Sequence, residues 1–419
     1  MSNLFRGRGE TMQSRAPVKT RLLRSLRSLA MTGASVFIMS TFLCSCAPGP
    51  SQLSDAQRIP IQHNGRIKSF DGFARSIVSR VTDKERWKGT SALETLLGAL
   101  SQQETLNDLE WIHINYLPLK ETLGLEPEKS YFSVNQISPA QAKILSLVQS
   151  AQARRDQDER PSKLEQKGEK LYSQLITVER IQSGEMITVV PTTGGKSSWR
   201  SPYLTDFVAF PDFKEMINLY AKEDWESLKK SLHGWLSQVQ TLLTQKQQTQ
   251  ISLEVLYLNI KPFQFSWIAY LLVFLLIAFL HRNSLLLRLG ILSLILAFSL
   301  HTVGLTLRVL ILERPPVSNM YESMIFMNWA LMLFAWIFSA VRKNLLPLSI
   351  GAIASALVMI YANLLPIDSS LDVLVPVLRS NYWLTIHVMT IVSSYGAFGL
   401  AMGLGHRHLF LTVRKKFSP

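Results

Sequence analysis

The chain has 419 residues, a formal net charge of +14, 47% hydrophobic residues and a mean hydropathy of +0.14. That is apolar for a soluble protein and polar for a pure membrane bundle, so two kinds of segment must share the chain. The charge excess is confined to residues 1–30 (net +6) and 261–419 (net +8), while residues 31–260 are balanced. Nucleic-acid binding needs a basic face on a folded domain, and the balanced stretch has none to spare; nucleic acid is excluded as a partner.

The first 46 residues read as an export signal. Arg15, Lys19, Arg21, Arg24 and Arg27 form a basic region, and residues 29–44 are uncharged and mostly apolar. Leu43-Cys44-Ser45-Cys46 then resembles a bacterial lipobox, which makes Cys46 the expected lipidation site. The alternative is an uncleaved signal anchor. Both place residues 47–262 outside the cytoplasm, as a periplasmic domain. Cys44 and Cys46 are the chain's two cysteines, so the rest of the protein has no disulfide and no redox dithiol.

Residues 47–262 are expected to form an α-rich external domain with minor β structure. Ile59-Pro-Ile-Gln-His-Asn-Gly65-Arg-Ile-Lys68 has β-branched residues around a glycine turn. Apolar spacing predicts helices over 91–101 and 138–155, and the charge-rich run 156–170 reads as a solvated helix or linker. Met186–Val190 suits a short strand. Thr192-Thr-Gly-Gly-Lys-Ser-Ser198 lacks the spacing of a phosphate loop and reads as a turn. A long helical stripe runs through 211–258, including Trp225, Leu228, Leu232, Trp235 and Val239. His63, His113 and His233 lie far apart, without ligand spacing. The domain is therefore expected to bind protein, not a small cofactor.

Residues 263–419 are expected to be a membrane α-helical bundle of about five spans, near 263–280, 289–307, 321–341, 346–365 and 383–404. Each has roughly the 20 residues needed to cross about 30 Å of hydrocarbon. Arg282, Arg288, Arg342, Lys343, Arg407, Arg414, Lys415 and Lys416 all fall on one side, opposite the 47–262 domain, in keeping with a positive-inside bias. Membrane lipids are thus expected neighbours, and the expected location is the bacterial inner membrane. Ser393, Ser394, Tyr395, Gly396, Gly399 and Gly403 suit close helix contact.

Two histidines stand out within these spans. His387 lies one turn inside Trp383, and His301 lies deeper in its own span. An imidazole in a membrane helix is costly and usually has a task, although packing and hydrogen bonding are the ordinary alternatives. Histidines with arginines nearby suit a metal-bearing, anionic ligand. Neutral imidazole ligates haem iron, and guanidinium pairs with carboxylates such as propionates.

Three phrases carry a more specific signal: His301-Thr-x-Gly-Leu-x-x-Arg308, Arg314-Pro-Pro-Val-Ser-Asn-Met-Tyr-Glu-Ser323, and Trp383-Leu-x-Ile-His387 leading to Ser394-Tyr395. They resemble the membrane protein of system II cytochrome c biogenesis, the CcsA or ResC type. Ile59–Ala74 and Leu253–Asn259 resemble the linking region of fused CcsB–CcsA synthetases. The resemblance implies haem delivery to the outer membrane face for covalent attachment to apocytochrome c, with haem b as the ligand handled. It implies His387 as an axial ligand of the haem iron, with His301, Arg308, Arg314 and Arg379 as further haem-binding candidates. A CcsB/ResB-like protein and apocytochrome c are the implied partners.

The family's WGxxWxWD motif and second external histidine are not among these 419 residues. The chain therefore reads as the front part of a CcsA-like membrane domain, truncated or split, needing a further chain that carries that motif and histidine. It would be one part of a haem lyase complex, without activity alone. The rival expectation is an envelope scaffold lipoprotein with a membrane bundle and no cofactor.

Overall fold

In the computed structural model, residues 52–191, 199–203, 213–280, 283–365, 369–371 and 381–417 are described. Cys46, Thr192–Ser198 and Arg379 lie outside them. The described part begins with a hairpin, β1 (Pro60–His63) antiparallel to β2 (Arg66–Ser69), with Ile61 opposite Lys68. Its two-residue turn, Asn64-Gly65, has φ of 49° and 78°. Both angles are left-handed, the geometry that matches the natural twist of paired strands.

Serine and threonine caps set many of the helix starts that follow. Ser69 caps α1 (Phe70–Thr82) by accepting from the Gly72 N–H. Full capping boxes start α2 (Ala92–Ser101; Ser91 with Glu94), α4 (Val134–Ile137; Ser133 with Gln136) and α6 (Lys163–Gln182; Ser162 with Glu165). Each satisfies two backbone N–H groups that a helix start leaves open. Between them lie α3 (Leu117–Leu123), α5 (Gln141–Asp156) and a second hairpin, β3 (Ile112–His113) with β4 (Tyr131–Phe132). Met186–Val190 is not a strand of either hairpin. It offers the Thr188 carbonyl to the Gln62 N–H, and Val190 forms an isolated bridge with Arg200.

The stripe over 211–258 is three helices rather than one: α7 (Phe213–Ala221), α8 (Trp225–Leu242) and α9 (Gln245–Ile260). Glu223, at φ 56°, precedes the Asp224 cap of α8, and Thr244 with Gln247 restarts the chain as α9. Leu228, Leu232, Trp235, Leu236 and Val239 of α8 are buried. They share one core with Ile59, Phe70, Phe73 and Trp111.

Lys261, at φ 47°, breaks the chain after α9, and Pro262 opens α10 (Pro262–Leu280). Then come α11 (Ser284–Leu312), α12 (Met320–Arg342) and α13 (Leu346–Leu364). A single helical turn, α14 (Asn381–Trp383), leads through a π-helical turn at Leu384–Val388 into α15 (Met389–Phe417). Among the described residues five helical segments are long and apolar enough to cross a membrane, and the protein is a multi-pass membrane protein. The expected spans agree with α10 to α13 to within a few residues; the last helix runs on to Phe417.

Inside the bundle α10 packs between α11 and α13, and α12 packs between α13 and α15. Helix α9 lies across β2 and α11. Small residues set the closest crossings. A Cβ on Gly396 would lie 2.7 Å from the Met327 carbonyl oxygen, and one on Gly403 would lie 2.5 Å from Ile350 Cγ2. Gly351 meets Ala335 in the same way. The described residues from Gln52 onward belong to one compact unit.

Candidate functional site

The phrase around His301 is one face of α11. His301, Gly304 and Arg308 recur at three and four residues, so they line up along the helix. Gly304 has no room for a side chain: a Cβ would lie 2.7 Å from the Phe263 ring. That is what lets the start of α10 cross so near.

His301 is fully buried. Its Nε2 lies 3.2 Å from the Ile325 carbonyl oxygen, and its Nδ1 lies 3.3 Å from the Tyr270 hydroxyl. A carbonyl only accepts, so Nε2 carries the hydrogen. In the neutral ring Nδ1 then accepts from the Tyr270 O–H. Both nitrogens are engaged, and the ring ties α10, α11 and α12 together. Beside it the Trp329 indole donates to Thr302 Oγ1 at 3.0 Å.

Arg308 is almost as deeply placed, with its side chain 2% exposed. Its Nη2 donates to Glu322 Oε1 at 2.8 Å and to the Ser370 carbonyl at 3.0 Å. Its Nη1 donates to the Tyr257 hydroxyl and the Ser369 carbonyl, each at 3.1 Å. The guanidinium also lies 5.8 Å from the Tyr257 ring centre and 5.5 Å from that of Tyr321. Two aromatic faces and one carboxylate replace the water that the cation gives up.

The proline-rich phrase supplies the other half of this cluster. Asn319 caps α12 by accepting from the Glu322 N–H at 2.7 Å. The first helical turn then turns Tyr321 and Glu322 toward Arg308. Glu322 is 1% exposed. It also accepts from Arg314 Nη2 at 3.1 Å and, through Oε2, from the Ser318 N–H at 3.1 Å. Arg308, Arg314 and Glu322 therefore form one cluster that carries a net positive charge. Sequence reasoning picks out the two arginines as haem-binding candidates but misses that Glu322 takes them both. The carboxylate stands eight residues after Arg314, within the phrase itself, and that spacing is the signal that could have found it.

His387 has a different setting. It lies in the π-helical turn, exposed, with no hydrogen-bond partner among the described residues. Trp383 and Tyr382, just before it, are 67% and 64% exposed and meet edge to face at 5.5 Å. π-Turns within α-helices are rare and recur at functional sites. No hydrogen bond or ion pair joins His387 to Arg308 or Arg314 among the described residues. Nor is there, among those residues, a group of three or more His, Cys, Asp or Glu side chains that could hold a metal ion.

The class defined by these features is a multi-pass helical membrane protein with a buried arginine–glutamate cluster and an exposed histidine where its last span begins. Its homologues narrow that class. Protein NrfI of Wolinella succinogenes is 26% identical over 379 residues, which is 84% of this chain and 41% of that protein. The cytochrome c biogenesis protein CcsA of Cyanidium caldarium is 37% identical over 105 residues, 25% of this chain and 34% of that protein. CcsA of Mesostigma viride is 32% identical over 142 residues, 33% of this chain and 45% of that protein. The chain thus spans less than half the length of each of these relatives. No protein-family model matches the chain.

Proposed function

We propose that this protein works in cytochrome c biogenesis of the system II type, as the part that offers haem an axial imidazole for covalent attachment to apocytochrome c. The observation that carries this reading is His387: an exposed imidazole in a π-turn, with no hydrogen-bond partner among the described residues, beside exposed Trp383 and Tyr382, in a chain similar to CcsA. The haem, haem b, is substrate here and not a resident cofactor.

An imidazole with a free nitrogen fits an iron ligand, and flanking aromatic rings fit a macrocycle face. Arg308 fits a propionate poorly, because its Nη1 and Nη2 already serve Glu322, Tyr257 and two carbonyls. His301 has both nitrogens occupied and fits a structural tie between spans. Arg314 is itself paired with Glu322, and Arg379, outside the described residues, is the remaining candidate for a propionate.

The charge bias supports a topology with residues 47–262 and the 366–382 connection on the periplasmic face of the bacterial inner membrane, anchored by a signal or by lipidated Cys46. A CcsB/ResB-like protein and apocytochrome c complete the complex in this reading.

Haem spectroscopy tests it. The full chain is purified in detergent and loaded with haem, and the reduced spectrum should show imidazole ligation of the iron. His387→Ala should remove it and halt cytochrome c maturation. Normal maturation and an unchanged spectrum in that variant would return the protein to a scaffold that binds no cofactor.

A further inference from the structure

Three successive backbone carbonyls, those of Ser369, Ser370 and Leu371, are held by two arginines from distant parts of the chain. Arg308 of α11 donates to the first two. Arg66 of the β1–β2 hairpin donates its Nε–H to the third at 2.8 Å, across 305 residues. The rest of the Arg66 guanidinium forks onto Glu254 of α9, with Nη2–Oε1 at 2.6 Å and Nη1–Oε2 at 3.2 Å.

Glu254 is 1% exposed and also accepts from the Ser69 N–H at 2.9 Å. It therefore lies at the start of α1, where a negative charge is favoured. Gly72 makes the approach possible, since a Cβ there would lie 2.5 Å from Glu254 Oε1. Tyr257, three residues after Glu254 on α9, is the hydroxyl that Arg308 uses. Helix α9 thus stands between the two arginines and braces each. The Leu371 side chain completes the seat: it is buried in a small cluster with Leu307 and Ile311, against Leu253 and Tyr257.

The geometry points to a latch: Arg66 is a positioning residue by which the N-terminal hairpin holds Ser369–Leu371 down on α9 and α11. Ser369–Leu371 are thereby tied to the N-terminal part as well as to the bundle. The α9 linker alone would tether the two parts; the latch fixes one against a particular stretch of the other. A carbonyl accepts from any donor, but the fork is needed to serve Glu254 and Leu371 at once. Lysine, with a single compact ammonium, cannot span both.

Hydrogen exchange of the full chain in detergent micelles tests this. The variant Arg66→Gln with Glu254→Gln removes both charges together, so no buried charge is left unpaired. Peptides that include Ser369–Leu371 should then exchange roughly tenfold faster or more, the weight of a lost charge-assisted hydrogen bond. Peptides from α1, α9 and α13 should stay at the wild-type rate. Leu371→Ala touches no charge and should loosen the same peptides. Wild-type exchange at Ser369–Leu371 in the double variant would overturn the latch. Equal loosening of α1 and α9 would also overturn it, by making the Arg66–Glu254 pair a support of the fold at large.

Discussion

The Arg308–Glu322 cluster and the π-turn at His387 both belong to helices of membrane-spanning length, yet they are built on opposite principles. In the first, the charges are buried or partly buried and paired: Glu322 serves Arg308, Arg314 and a backbone N–H, and Arg308 also serves a hydroxyl and two carbonyls. In the second, an imidazole is left exposed and without a partner among the described residues. A polar group that is fully paired holds a structure together and has little left to offer a ligand. One that is unpaired and accessible contributes little to the fold and is available for chemistry. Polar residues in membrane spans thus fall into two kinds, and partner count separates them better than residue type does.

The sharpest way to break the contrast is to remove the carboxylate. Glu322→Ala leaves Arg308 buried without its counter-charge and should cost about 3–5 kcal/mol. Thermal unfolding in detergent should show a large fall, or the protein should fail to accumulate. Retention of wild-type stability would show that Arg308 reaches water. Next in size is Gly396→Val, which forces a side chain into the Met327 and Leu331 backbone. Overpacking of this kind costs about 1–3 kcal/mol, and the α12–α15 contact should loosen, read as faster exchange in α15 than in α10.

His301→Leu should come third. It deletes two hydrogen bonds of ordinary strength and leaves the Tyr270 hydroxyl unanswered, at about 1–3 kcal/mol. His387→Ala should fall at the other end of the scale, within about 0.5 kcal/mol of wild type in stability. The two histidines then separate on one plot: His301 moves stability, His387 moves haem binding. Reversed assignments would undo the comparison.

A last and smaller effect concerns pH. The Ser150 hydroxyl, the Ser162 backbone N–H and Arg154 hold the Glu165 carboxyl at about 2, below its ordinary 4.5. The folded value is depressed, so its contribution is complete above 4.5 and disappears as pH falls toward 2. Burial pushes the Asp83 carboxyl up, but Lys170 and His113 outweigh it and hold it below its usual value, with the same sign. Tryptophan fluorescence melts from about pH 5 down to about pH 2 should therefore lose stability steadily. Glu165→Gln should flatten that loss. An unchanged slope would show that the Glu165 cap adds nothing to acid stability.

The large elements are legible in the sequence, for physical reasons that need no distant partner. Apolar runs of about twenty residues announce spans because hydrocarbon thickness is fixed. The β-branched residues around Gly65 announce a turn, and apolar spacing announces the helix over 91–101, because these signals act over a few residues. The division of 211–258 is not legible there. An amphipathic stripe continues across a break, and only the positive φ at Glu223 and the restart at Thr244 end one helix and begin another.

The site divides along the same line. His301, Arg308, Glu322 and His387 can all be picked out by residue type, because ionisable side chains in apolar spans are conspicuous. Which of them are paired cannot, since pairing is a matter of distance. Arg308 meets Glu322 across 14 residues, Arg66 meets Glu254 across 188, and Arg66 meets Leu371 across 305. Sequence by itself determined the multi-span architecture and the short list of polar residues, because hydropathy acts along the chain. Tertiary structure alone decided which of those residues hold the protein together and which one has no partner among the described residues, because a buried charge is defined by neighbours that the chain brings in from elsewhere.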